Sequence, residues 1–212
     1  MTESTPPATV PRRRKQARPA EILLAGLEVF AEKGFAAARL EDVAARAGIV
    51  KGTIYRYFES KEALFEAAVK SRLPPIFANI DEMVDAFPGS SPDLLRLVIT
   101  RLYQEIFGSQ MQVLVRIILT EGGRHPGIAA FYHRESISLG RKMIARIVAR
   151  GVARGEFRAG AAADLPIILM APAIMAMIWK MTFDAFDPIS TEAFMAAHLD
   201  LVLNGLAQQA ET

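Results

Sequence analysis

Lys51, Thr53, Tyr55, Arg56, Tyr57 and Lys61 crowd into one short stretch, interleaved with Gly52, Ile54 and Phe58. Ammonium, guanidinium and hydroxyl groups donate hydrogen bonds to phosphate oxygens and base edges. The apolar members fix which way the donors point. Ile54 and Phe58 stand one helical turn apart, so when they face a core, Gly52, Thr53 and Arg56 face away with Tyr55 and Tyr57 on the flanks. Small, polar, basic and phenolic groups on one short helix suit a DNA groove better than a protein interior.

Bond-making chemistry finds little support. The chain has no cysteine and three histidines, His125, His133 and His198, too few thiol and imidazole groups for a structural zinc site. It has no Gly-rich phosphate loop after a strand, no His-Glu-x-x-His and no nucleophile elbow. The reading is therefore of a non-enzyme with no cofactor and no metal. A non-DNA small-molecule-binding or enzymatic helical bundle is the alternative.

The elements that position the donors are helices. Val43 and Ala47 give a helix over about 40–47 one apolar face. Gly48 ends it in the left-handed conformation, and Ile49 then plugs the turn. A helix over about 51–57 follows, and Ser60 caps the next, striped by Leu64, Phe65, Ala68 and Val69. Ahead of them a helix opening at Pro19 and closing at Lys33 and Gly34 buries Ile22, Leu23, Leu27 and Phe30.

Residues 1–18 read as a flexible basic arm, with Arg12, Arg13, Arg14, Lys15 and Arg18 placed either to follow a minor groove or to attract DNA nonspecifically. Pro74 and Pro75 break the fourth helix and close a small domain over 19–73. Beyond it, over 74–212, the pattern stays helical. Helices are expected from Ser91 to about Phe107, over Gln110–Glu121, over Gly127–Arg154, over Asp164–Phe183 with a kink at Pro172, and from a Thr191 cap onward along Phe194, Leu199, Val202, Leu203 and Leu206. The fold class is all-α, about nine helices: an N-terminal three-helix helix-turn-helix unit and a C-terminal helical bundle.

Apolar residues make up 51% of the 212, enough for a sizeable core. Residues 1–61 hold 11 Lys/Arg against 7 Asp/Glu, and the remainder 14 against 16. Positive charge is thus concentrated beside the three-helix unit, where phosphate would be met. The uncharged run Leu165–Trp179 is shorter than the ~20 residues a bilayer span needs and contains Pro166 and Pro172. A cytoplasmic protein with no membrane partner is expected.

The run from Gly34 and Phe35 through Leu40–Ile49 and Lys51–Leu64 closely resembles the DNA-binding domain of tetracycline-repressor (TetR) family regulators. The match covers roughly residues 19–70. The resemblance implies a repressor that binds double-stranded DNA at a palindromic operator, a homodimer through the last two helices, and a C-terminal bundle that binds a small effector. By position it implies that Lys51, Gly52 and Thr53 approach bases and phosphates, and that Tyr55, Tyr57 and Lys61 meet phosphate. Arg56 completes the candidate contacts of helix 3. Two positions depart from the family pattern: Ala38 stands where a threonine usually caps helix 2, and Val50 where serine or alanine is common. Arg39 or Glu41 supplies the candidate DNA contacts of helix 2 in place of the missing threonine.

Met143, Met170, Met175, Met177 and Met181, with Trp179 and Phe183, suggest an adaptable apolar cavity, or else ordinary core and interface packing. Arg116, inside an apolar run, either pairs with Glu105 or Glu121 or meets an acidic effector. Tyr103, Arg116, Met143, Met175 and Trp179 are the candidate effector contacts. The effector itself is expected to be hydrophobic or amphipathic.

Overall fold

The computed structural model of the chain describes residues 14–72, 80–107 and 109–208. Arg12 and Arg13, the side chains of Arg14, Lys15 and Arg18, and the Pro74–Pro75 break lie outside the described residues. The chain divides between Ala68 and Val69 into two compact units. All regular structure among the described residues is helical, apart from one isolated antiparallel bridge between Phe157 and Ala207.

The first unit contains α1 (Arg14–Ala37), α2 (Leu40–Arg46), α3 (Lys51–Ile54) and most of α4 (Lys61–Arg72). α1 begins five residues before the expected Pro19, which lies inside it. A proline that close to a helix start removes one donor and leaves one carbonyl unmatched, and the helix continues past it. The helical path breaks at Gly34, φ 74° and ψ 160°, a conformation that favours glycine. α1 packs on α2 and α2 on α3. Their core is Ile22, Leu27, Phe30, Phe35, Val43, Ile54, Leu64 and Phe65, each at most 3% exposed. The Phe35 ring meets Phe65 edge-on at 5.9 Å and Phe30 at 5.2 Å. A β-carbon on Gly26 would stand 2.8 Å from a Leu64 methyl, so α1 and α4 approach at a residue without a side chain. Ser60 caps α4 as expected, its hydroxyl accepting from the Ala63 N–H at 3.1 Å.

The second unit holds α5 (Ile80–Ala86), α6 (Ser91–Ile106), α7 (Ser109–Glu121), α8 (Pro126–Tyr132), α9 (Ser138–Ala153), α10 (Ala161–Asp164), α11 (Ala171–Thr182) and α12 (Thr191–Leu206). α5 and α10 have no counterpart in the sequence reading; one turn or two is too short to show a periodic stripe. The expected single helix over 127–154 is two, joined by a π-helical turn at His133–Ile137. Pro172 lies in the first turn of α11 instead of kinking a longer helix, because a 3₁₀ segment, Pro166–Met170, precedes it. Ser190, not Thr191, caps α12, accepting from the Ala193 N–H at 3.2 Å. α6 packs on α9 and α12, and α11 on α12. Leu95, Ile99, Ile144, Ile147, Ala176 and Met177 are almost wholly buried there. Each larger side chain so buried contributes on the order of 1.5–3 kcal/mol. No described helix is long and apolar enough to cross a membrane.

Candidate nucleic-acid interface and effector cavity

α2 and α3 meet across a turn that their residues dictate. Gly48 adopts φ 64°, the left-handed geometry, and the Ile49 N–H donates back to the Ala44 carbonyl at 3.0 Å. Ile49 is half-buried, and Val50 precedes α3 in an extended conformation with 73% of its surface exposed. α3 is shorter than the expected 51–57. After Ile54 the chain tightens, with Arg56 and Tyr57 amides donating three residues back to Thr53 and Ile54. Ile54 at 0% and Phe58 at 9% anchor this piece in the core. Lys51, Gly52, Tyr55, Arg56 and Tyr57 are exposed and Thr53 is half-buried. The inward and outward faces are those the spacing implied.

Two donors on this face, Lys51 and Tyr55, are held by a carboxylate of α2. One oxygen of Glu41, Oε1, accepts from the Lys51 ammonium at 2.7 Å and from the Tyr55 hydroxyl at 3.0 Å. The Lys51 bond first, then a backbone amide and Tyr55, hold the Glu41 carboxyl down at about 2. The same carboxylate pushes the Tyr55 phenol up. Asp42 pairs with Lys33 at 2.7 Å, and Arg46 spans Glu28 at 3.2 Å and Glu32 at 2.5 Å. Arg39 and Arg56 are exposed and make no ion pair among the described residues.

Lys61 serves the fold as well as the surface. Its ammonium donates to the carbonyls of Phe35 and Ala36, both at 2.8 Å, and lies 4.8 Å over the Phe35 ring. Two of its three protons thus close the end of α1, and one is left for solvent or phosphate. The α2 cap also differs from the expectation set at Ala38. Arg39 occupies the cap position, its N–H donating to the Asp42 carboxylate at 3.2 Å, while Ala38 is buried at 3% one residue earlier. Arg39, like alanine, offers no side-chain acceptor to the first-turn amides of α2, so the loss expected from a non-accepting cap stands at this position. A broad surface hollow of about 440 Å³ runs among Ala36–Glu41, Tyr55, Glu59, Ser60 and Lys61.

In the second unit, residues of α6, α7, α8, α9, α11, the π turn and the 3₁₀ segment line a partly open cavity of about 200 Å³. Its wall is apolar, with Val98, Leu102, Ile106, Met111, Val115, Met143, Ile144, Met170 and Ile174. Arg101, Glu105 and Arg141, all exposed, and the polar Tyr132 and Ser136 also face it, with Ile137, Gly140 and Ile167. The π turn itself contributes Ser136 and Ile137; such turns frequently mark functional sites.

Of the five effector candidates, Met143 stands in this wall and the other four do not. Tyr103 is buried at 2%, its hydroxyl 3.1 Å from His198 Nδ1, and burial pushes its phenol up to about 12. His198 Nε2 donates to the Leu169 carbonyl at 2.8 Å, so Nδ1 accepts from Tyr103, and burial lowers the imidazole. Arg116 is exposed and pairs with neither Glu105 nor Glu121 among the described residues, because Leu114, Val115 and Ile117 take the inward phases of α7. Met175 is 52% exposed, and the Trp179 indole donates to the Asp187 carbonyl at 2.7 Å. Among the described residues no group of three or more His, Asp or Glu is placed to hold a metal.

Comparison with known proteins divides the chain similarly. A family model described as bacterial regulatory proteins, tetR family, matches residues 22–68. A second, the tetracyclin repressor-like C-terminal domain, matches residues 89–202, more than half of the chain. The transcriptional repressor KstR2 of Mycolicibacterium smegmatis is 28% identical over 191 residues, 89% of this chain and 90% of that one. Among solved structures, the fold is similar to that of the regulator FadR of Bacillus subtilis in complex with stearoyl-CoA. That match has a TM-score of 0.73 at 20% identity and covers 88% of this chain and 98% of the other. It is also similar to the ketosteroid transcriptional regulator KstR2 of Mycobacterium tuberculosis, with a TM-score of 0.66 at 23% identity over 91% and 96%.

Proposed function

Because the chain belongs to the tetracycline-repressor family of DNA-binding transcriptional regulators, we propose that it represses from a palindromic operator as a homodimer, released by a small hydrophobic or amphipathic effector. The observation that carries the DNA reading is α3 itself: Ile54 is fully buried while Lys51, Gly52, Tyr55 and Arg56 stand exposed around it. Lys51, Gly52 and Thr53 then face base edges and phosphates, and Arg39, Tyr55, Arg56, Tyr57 and Lys61 hold the backbone. Repression is supported by the relatives named as repressors. Dimerisation through α11 and α12 is supported by the apolar residues those helices expose, Met175 and Leu201. The protein acts in the cytoplasm, where its DNA is.

The cavity is the effector site in this reading. At about 200 Å³ it is slightly larger than the ~150 Å³ apolar hole that admits benzene, so it takes a small apolar group or one end of a longer chain. Met111, Met143 and Met170 line it and adapt to shape. The effector acts by binding one arrangement of the dimer better than the other, and shifts the equilibrium only by that difference.

The test is footprinting and binding on sequence upstream of the protein's own gene. Protection of a palindrome, with affinity falling steeply as salt rises, is expected. Absence of any sequence preference at moderate salt sinks the repressor and leaves the non-DNA helical bundle. The cavity is tested by Gly140→Leu. Gly140 lies in its wall, and a β-carbon there meets nothing within 4 Å. The leucine fills the space, and binding of an apolar fluorescent probe is expected to fall at least about tenfold, the ~1.5–3 kcal/mol of one lost apolar contact surface. The α9 helix gains roughly 0.5–1 kcal/mol from replacing glycine. Undiminished probe binding places the effector elsewhere.

A further inference from the structure

In the Glu41–Lys51–Tyr55 cluster two donors of the DNA-facing surface share one carboxylate oxygen. A tyrosine hydroxyl has one proton, and in the free protein that proton is donated to Glu41 Oε1 at 3.0 Å. A lysine ammonium has three, so Lys51, 2.7 Å from the same oxygen, keeps two for other acceptors. Tyr55 therefore cannot donate to a phosphate while it holds Glu41, whereas Lys51 can bridge carboxylate and DNA. Glu41 also brings a negative charge to a surface meant to meet phosphates, and its side chain is 39% exposed there.

We infer that Glu41 restrains DNA binding: it occupies the single proton of Tyr55 and part of the charge of Lys51, and a phosphate must take Tyr55 from it. The inference rests on the DNA reading given above. Glu41 is a positioning residue, acting through Lys51 and Tyr55. Its effect is to weaken attachment to arbitrary duplex, so that stable occupancy requires the base contacts of α3 as well. Glu41 sits in the first turn of α2, while Lys51 and Tyr55 lie across the Gly48 turn, so the restraint exists only once α2 and α3 are docked.

The experiment measures affinity for a labelled duplex of arbitrary sequence across a salt series. The proteins are the full chain, Glu41→Ala, Glu41→Gln, Tyr55→Phe and the Glu41→Ala/Tyr55→Phe double variant. Glu41→Ala is expected to bind about three- to fivefold tighter, the scale of one exposed ion pair. Its plot of log affinity against log salt steepens by roughly 0.9, one additional phosphate contact. Tyr55→Phe in the otherwise unchanged chain removes a bond from both the free and the bound state and changes affinity by less than about twofold. The same substitution in the Glu41→Ala background costs about three- to fivefold, since there the free hydroxyl has only water. Glu41→Gln keeps an acceptor for Tyr55 without the charge, so it shows the steeper salt dependence even where alanine disturbs α2. Weaker binding by both Glu41→Ala and Glu41→Gln, an unchanged salt slope in Glu41→Gln, or an equal Tyr55→Phe cost in both backgrounds overturns the inference and makes Glu41 a support. Failure of the unaltered chain to bind any duplex at low salt is a different result, and it removes the DNA reading instead.

Discussion

The two candidate sites use opposite means to hold their shape. On the first unit, cations and hydroxyls are fixed by directed bonds to carboxylates: Lys51 and Tyr55 to Glu41, Arg46 to Glu28 and Glu32, Lys33 to Asp42. In the second, the cavity is shaped by undirected packing of methionine, leucine, isoleucine and valine, with its charged residues exposed. Directed bonds preset a spacing of donors, which suits a polymer whose phosphates recur at fixed distance. Flexible apolar walls set only a volume and a chemistry. Recognition of DNA is thus built into contacts, and recognition of an effector into space.

The strongest way to break this contrast is to remove packing from the unit that depends on directed bonds. Phe65 is 0% exposed and packs edge-on against Phe35, so Phe65→Ala is expected to cost about 3–5 kcal/mol. Circular dichroism should show an earlier melting phase, and DNA binding should vanish while the apolar probe still enters the cavity. Equal loss of probe binding would show that the two regions do not hold their shapes separately.

A smaller effect separates them by pH. His198 is buried with its folded pKa below the ordinary 6.5, so the unfolded chain takes up the proton first. Its contribution is complete above 6.5 and is lost as pH falls through the lower folded value. Glu41 falls from the ordinary 4.5 to about 2, so its contribution is complete above 4.5 and is lost only toward 2. Mild acid is therefore expected to loosen the second unit while the carboxylate contacts of the first persist. His198→Ala, which leaves the Tyr103 hydroxyl and the Leu169 carbonyl without their partner, should cost about 1–3 kcal/mol at neutral pH and flatten the melting-temperature profile below 6.5. An unchanged profile in that variant assigns the acid sensitivity to other groups.

The smallest effect tests the directed bonds singly. Arg46→Ala removes contacts to Glu28 and Glu32, all three exposed, and should cost less than about 1 kcal/mol, vanishing at high salt. A larger loss, or one indifferent to salt, would show that these pairs do more than trim a solvated surface.

Much of the first unit is legible in the sequence. The i,i+4 pair Ile54 and Phe58, the turn at Gly48, the break at Gly34 and the cap at Ser60 all stand where spacing and residue type put them. The caps of α2 and α12 stand one residue from the positions the sequence suggests, at Arg39 and Ser190 and not at Ala38 and Thr191. Ser190 and Thr191 are both good caps, so residue type does not reveal which one turns extended, and neither Ala38 nor Arg39 carries an acceptor that would mark the start of α2. The cavity was less legible. Methionines at helical spacing pointed to an apolar hollow and to Met143, while Met170 was read only as part of the group and Met175 proved exposed. A 3₁₀ segment at Pro166–Met170 shifts the phase of everything after it, and periodicity counted through it assigns the wrong face.

What the sequence alone determined is what neighbours along the chain decide: the all-helical pattern, the inward faces of the helices in the first unit and the donors displayed by α3. These follow from interactions within a few residues, where the helical repeat fixes geometry. Only the tertiary structure decided which groups meet across helices. Glu41 and Tyr55 lie 14 residues apart and Tyr103 and His198 lie 95 apart. Such pairings depend on the angle and depth at which helices dock, set by the whole of a core and encoded in no local spacing.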